Sequence, residues 1–95
     1  MEPYVGLLTV DLLVPEATTL KDKRQVVRSI LDRAAARYNV SVAEIDHLEN
    51  PQRASLAFAC VANETARVRH VLGLVLQLVE DELRAEVLQS SVEIL

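Results

Sequence analysis

Aromatic side chains are nearly missing from this sequence: two tyrosines, one phenylalanine and no tryptophan in 95 residues. Proteins that grip single-stranded nucleic acid by stacking bases on a sheet need exposed rings at its centre, and Tyr4, Tyr38 and Phe58 are too few for that. Cysteine occurs once, at Cys60, which excludes an internal disulfide and leaves no pair to begin a zinc site. With two glycines there is no G-x-G-x-x-G and no P-loop. Few glycines and only three prolines also exclude a collagen-like or low-complexity chain. No apolar run approaches the ~20 residues that span a bilayer. Met1-Glu2-Pro3-Tyr4 lacks the basic start of a signal peptide. The expectation is therefore a cytoplasmic protein with no membrane partner.

What the chain does have is apolar residues, 51%, with 25% charged. That balance excludes disorder, and the length suits one domain spanning residues 1–95. Hydrophobic periodicity switches between two and about 3.6 along the chain. Tyr4 to Val14 reads as a strand stopped by Pro15. Thr18-Thr19 offers a helix N-cap, and Val27, Ile30, Leu31, Ala34 and Tyr38 then recur at helical spacing up to Asn39. Val40 to His47 returns to strand-like alternation, Asn50-Pro51 is a turn, and Arg53 to Ala62 is a nearly all-apolar strand. Asn63 is the expected cap of a second helix, whose apolar stripe runs through Val68, Val71, Leu72, Val75, Leu78, Val79 and Leu83. Glu86 to Leu95 alternates Leu88, Ser90, Val92 and Ile94 against Gln89, Ser91 and Glu93.

The order β-α-β-β-α-β, with right-handed crossovers, predicts an α+β ferredoxin-like sandwich: a four-stranded antiparallel sheet with both helices on one face. The first and third strands should be central. Gly6, Leu8, Val10, Leu12, Leu56, Phe58 and Cys60 are then expected to face the helices, with Cys60 a buried, unreactive thiol. Val5, Leu7, Thr9, Asp11, Leu13, Ser55, Ala57, Ala59 and Val61 face the other way. That side is half apolar and has no helix to cover it, so a homodimer through Val5, Leu7, Ala57, Ala59 and Val61 is expected.

Charge is unevenly placed. Between Lys21 and Arg37 six bases stand against two acids, an excess of +4 inside a chain of net −4, so the remainder carries −8. Lys21, Arg24 and Arg28 share one helix face. Lys21, Lys23 and Arg24 crowd a first turn where the helix dipole favours acids, a local conflict of the kind that marks functional surface. Lys21, Lys23, Arg24 and Arg28, with Arg53 as an outlier, are the candidate anion-contacting residues; a merely solvated helix face is the other reading.

Catalysis finds little footing. Asp46-His47, with Glu44 and Glu49 nearby, is the one group suited to acid-base or metal chemistry, and strand alternation would send Asp46 and His47 to opposite faces. His70 reads as a surface residue. Acylphosphatases share the predicted fold, but Pro15-Glu16-Ala17-Thr18-Thr19 lacks the glycines of their anion loop. No enzyme, cofactor or metal is expected.

Leu20-Lys21-Asp22-Lys23-Arg24, Asn39-Val40-Ser41-Val42-Ala43-Glu44, Asp46-His47 and Gln52-Arg53-Ala54 together resemble the YlxP-like family of small bacterial proteins, a domain of unknown function. The resemblance runs to the closing Val92-Glu93-Ile94-Leu95. It implies the ferredoxin-like fold and carries over no catalytic residues. Because genes of that family tend to lie beside translation-initiation and ribosome-maturation genes, it also implies a connection to RNA or the ribosome. The leading expectation is a non-enzymatic protein contacting ribosomal or other structured RNA, or an acidic protein surface, through the basic helix start. The alternative is a small-ligand-sensing or structural oligomerisation module.

Overall fold

The computed structural model describes residues 2–95. Six elements follow in the expected order: β1 Tyr4–Leu13, α1 Leu20–Arg37, β2 Val40–Asp46, β3 Arg53–Ala62, α2 Thr65–Glu80 and β4 Glu86–Ile94. All strand pairs are antiparallel and the sheet order is β2-β3-β1-β4, which places β1 and β3 in the centre. This is the ferredoxin-like arrangement. Leu8, Val10, Leu12, Leu56 and Phe58 are fully buried beneath the helices, and Cys60 is buried in the same register. Burial pushes the Cys60 thiol pKa up, which disfavours the reactive thiolate.

Helix α1 is held at its start by a reciprocal cap. Thr19 Oγ1 accepts from Asp22 N (3.1 Å), while Asp22 Oδ2 accepts from the backbone of Thr18 (3.1 Å) and Thr19 (3.2 Å) and from Thr18 Oγ1 (3.0 Å). These bonds, led by the one from the Thr18 backbone, hold the Asp22 carboxyl below its usual range. Helix α2 lies so close to β1 that a Cβ on Gly6 would overlap Val68 Cγ1 and come within 2.9 Å of Leu72 Cδ1.

Four details differ from the sequence expectation. Asn63 does not cap α2: the N-cap is Glu64, and it makes no side-chain cap bond. Leu83 is not part of the α2 stripe, because the helix ends at Glu80 and Leu83 stands 98% exposed in the turn beyond it. In β4 the pairing with β1 shifts between Asp11 and Leu12, so that Leu88 is an extra residue and Val87 takes the place opposite Leu12. A bulge of the same kind inserts Ile45 into β2, between Glu44 opposite Leu56 and Asp46 opposite Ser55. Both edge strands therefore carry a bulge, and both bulge residues are exposed aliphatics.

Candidate functional site

The buried stripe of α1 consists of Lys23, Val26, Val27, Ile30 and Ala34, spaced three and four apart as a core-facing helix requires. Lys23 begins this stripe and has no exposed surface. Its Nζ donates to the carbonyls of His47 (2.8 Å), Arg53 (3.1 Å) and Leu48 (3.4 Å). Glu44 Oε2 stands 2.9 Å from it, a contact of charge rather than a directed hydrogen bond. A buried ammonium is tolerable only with such a full set of partners.

The loop around this cage is tied down by its own bonds. Asn50 Oδ1 accepts from the backbone of Gln52 (2.9 Å) and Arg53 (3.1 Å), and Gln52 Nε2 donates to the Ala17 carbonyl (3.2 Å). His47 adopts φ 60°, and its N–H donates to Asp46 Oδ1 (2.7 Å). Asp46 and His47 thus serve the turn that ends β2. The strand has already stopped at Asp46, so alternation does not govern His47. Among the described residues no group of three or more His, Cys, Asp or Glu is placed to hold a metal ion.

Lys23 therefore leaves the anion-contacting set: its charge points inward and is matched there. Arg53 is separate too. It opens β3 opposite Leu13, in the register of the helix-free side, and its Nε is buried with no partner. Lys21, Arg24 and Arg28 are exposed on one face of α1, and none of the three is in an ion pair with another described residue. Elsewhere Arg33 and Arg84 are engaged by Glu82. Arg67 and Arg69 lie two apart on α2, a spacing that does not share a face. Two shallow hollows flank the Arg24–Arg28 ridge. One, of about 370 Å³, lies between α1 and β2 with Val27, Leu31 and Val42 in its lining and Asp32 and Glu44 among its charges. The other, of about 280 Å³, is formed by Lys21, Arg24, Gln25 and Arg28. The two carboxylates make the first a poor receptacle for a small anion, whereas the ridge itself is open.

Of the segments that carried the family resemblance, Leu20–Arg24, Glu44, Asp46-His47 and Gln52–Ala54 meet at one end of the molecule, where α1 begins, β2 ends and β3 starts, whereas Asn39–Ser41 and Val92–Leu95 lie towards the other end. Residues 5–92 match the family model described as a protein of unknown function (DUF503). The chain belongs to the DUF503 family. It is 30% identical over 76 residues to the uncharacterized protein YlxP of Bacillus subtilis (strain 168), covering 80% of this chain and 83% of that protein. Among solved structures it is similar to a de novo designed protein with ferredoxin fold, LFR1 1, studied by solution NMR. The TM-score is 0.55 at 14% identity, over 96% of this chain and 82% of that one. It is likewise similar to the de novo designed protein Foldit4, with TM-score 0.52 and 13% identity over 99% and 94% of the two chains. These two likenesses concern the fold alone. In this DUF503 chain the only cationic trio found exposed, unpaired and on one helix face is Lys21, Arg24 and Arg28, among the described residues.

Proposed function

We propose that this protein binds structured RNA through the phosphate backbone, using the ridge of Lys21, Arg24 and Arg28 on α1. The observation that carries the reading is that these three cations are exposed and unpaired on one face, in a chain whose net charge is −4. A chain of that charge has no general attraction to a polyanion, so a local cationic excess is where such a partner would be drawn. From Lys21 to Arg28 the helix rises ~10 Å, enough to meet more than one phosphate. Contacts of this kind position a duplex or folded RNA without reading bases, which fits a sheet with no aromatic platform. The caged Lys23 supports the same reading, because it fixes the first turns of α1 against β2 and the β2–β3 loop. Arg53, on the other side of the sheet, has no part in this surface.

The test is a titration against bulk ribosomal RNA at several salt concentrations. The wild type should bind with an affinity that falls steeply with salt. Replacing Lys21, Arg24 and Arg28 together by Ala should weaken binding and flatten the log–log slope by roughly 2, at ~0.7–0.9 per lost contact, with thermal stability retained. Binding that the triple variant leaves unchanged overturns the reading.

A further inference from the structure

We infer that the helix-free face of the sheet is a self-association surface, on which two copies pack face to face about a two-fold axis running along the strands between β3 and β1. This goes beyond the RNA reading and does not depend on it, since the α1 ridge lies on the opposite side of the sheet. The observation behind it is the pattern of side chains across this face. Read from β2 to β4, one row is Ser41, Ala59, Leu7, Glu93; the next is Ala43, Ala57, Thr9, Ser91; a third is Asp46, Ser55, Asp11, Gln89. Beyond the first row Val5 stands opposite Val61, and both are exposed.

A two-fold along the strands keeps each row on itself and exchanges its ends, so β2 meets the β4 of the second copy and β3 meets its β1. In that arrangement Leu7 of one copy meets Ala59 of the other. Beside Ala59 lies a hollow of about 160 Å³, bordered also by Ser41, Ala43 and Ala57, into which a leucine side chain can seat. Val5 meets Val61. Each acid meets a neutral partner: Glu93 opposes Ser41 and Asp46 opposes Gln89. Asp11 opposes Ser55, and within each copy its Oδ1 already accepts from Ser55 Oγ at 2.6 Å. No acid is set directly opposite another, and the two Asp11 carboxylates, which share the central row on neighbouring strands, are each held by the Ser55 of their own copy. The other two-fold in the plane of the face, across the strands, sets Leu7 on Asp11 instead and is disfavoured for burying a carboxylate against an apolar knob.

The size of the face agrees. Four strands of up to ten residues present roughly 600 Å² per copy at strand spacings of ~4.8 Å and rises of ~3.4 Å. About 1,200 Å² in total is the lower bound for a specific interface. Packed sheets of this kind run within about 30° of each other, which keeps the rows in approximate register.

Ser41 and Glu93 sit on opposite edges of the same row, roughly 14 Å apart within one copy, so they can meet only through the second copy. Sedimentation equilibrium of the full chain at micromolar concentration should give about twice 10.6 kDa. Ser41→Glu, which brings two carboxylates face to face, should weaken the dimer at least about tenfold. Adding Glu93→Lys to that variant should restore it, and Ser41→Lys alone should tighten it. All three changes are at exposed positions, and far-UV circular dichroism checks that the fold is kept. A monomeric wild type overturns the inference, as does a dimer that Ser41→Glu leaves intact or that Glu93→Lys does not rescue.

Discussion

Lys23 shows how far a single side chain can depart from what its type leads one to expect. Lysine is almost never fully buried, yet here its stem lies in the core stripe of α1 and its ammonium is held by three carbonyls and Glu44. The arrangement joins three segments distant in sequence: the first turn of α1, the end of β2 and the start of β3. Replacing Lys23 with Met should cost about 3–5 kcal/mol, the range expected when one partner of a buried ion pair is removed. Lys21→Ala, two residues away and exposed, should change stability by less than about 0.5 kcal/mol. Urea unfolding at neutral pH measures both, and similar values for the two would contradict the cage. A second change, Glu44→Leu, should return part of the loss in Lys23→Met, because it removes the carboxylate left without its cation.

At the scale of elements, glycine separates two situations. Gly6 is where α2 comes down on β1, so Gly6→Ala should destabilise by about 1–3 kcal/mol through overpacking against Val68 and Leu72. Gly73 sits mid-α2 with nothing within 4 Å of an added Cβ, and Gly73→Ala should stabilise by about 0.5–1 kcal/mol. Thermal melts should move in opposite directions for the two variants. The strands, both helices and the central placement of β1 and β3 were legible in the sequence, because the hydrophobic period decides them. The bulges at Ile45 and Leu88 were not, since a one-residue insertion leaves no mark in a run of aliphatic and small residues. Leu83 misled because it continues the period of α2 past the residue where the helix stops. The basic ridge was readable as Lys21, Arg24 and Arg28. Lys23 was not, although it stands four before Val27 and seven before Ile30, the spacing of a core position occupied by a residue that rarely takes one.

Across the whole molecule, one buried carboxylate joins α1 to the turn that follows α2. Glu82, 8% exposed just beyond α2, accepts from Arg84 Nε at 2.9 Å, from the Arg84 backbone at 2.9 Å and from Arg33 Nη2 of α1 at 2.7 Å. The bonds from Arg84 lead in holding its pKa down to about 2. A carboxyl depressed in the folded state stabilises the fold above its ordinary pKa near 4.5 and loses that contribution as pH falls towards 2. Both guanidinium groups are partly in water, so about 1–2 kcal/mol is the scale to expect. Glu82→Gln should lower stability at neutral pH by that amount and flatten the acid limb between about pH 4.5 and 2, measured by chemical unfolding across that range. An acid limb that Glu82→Gln leaves unchanged would remove Glu82 from this role. The edges of the sheet have a consequence of a different kind. Bare strand edges are templates on which further chains add into fibres. Here β2 bends at Ile45 and turns Glu44 inward to Lys23, while β4 bends at Leu88 and bears Glu86 and Glu93. Neither edge offers a flat, uncharged ladder for a newcomer. The rims of a chain that is half apolar therefore oppose the edge-to-edge addition from which amyloid-like growth starts.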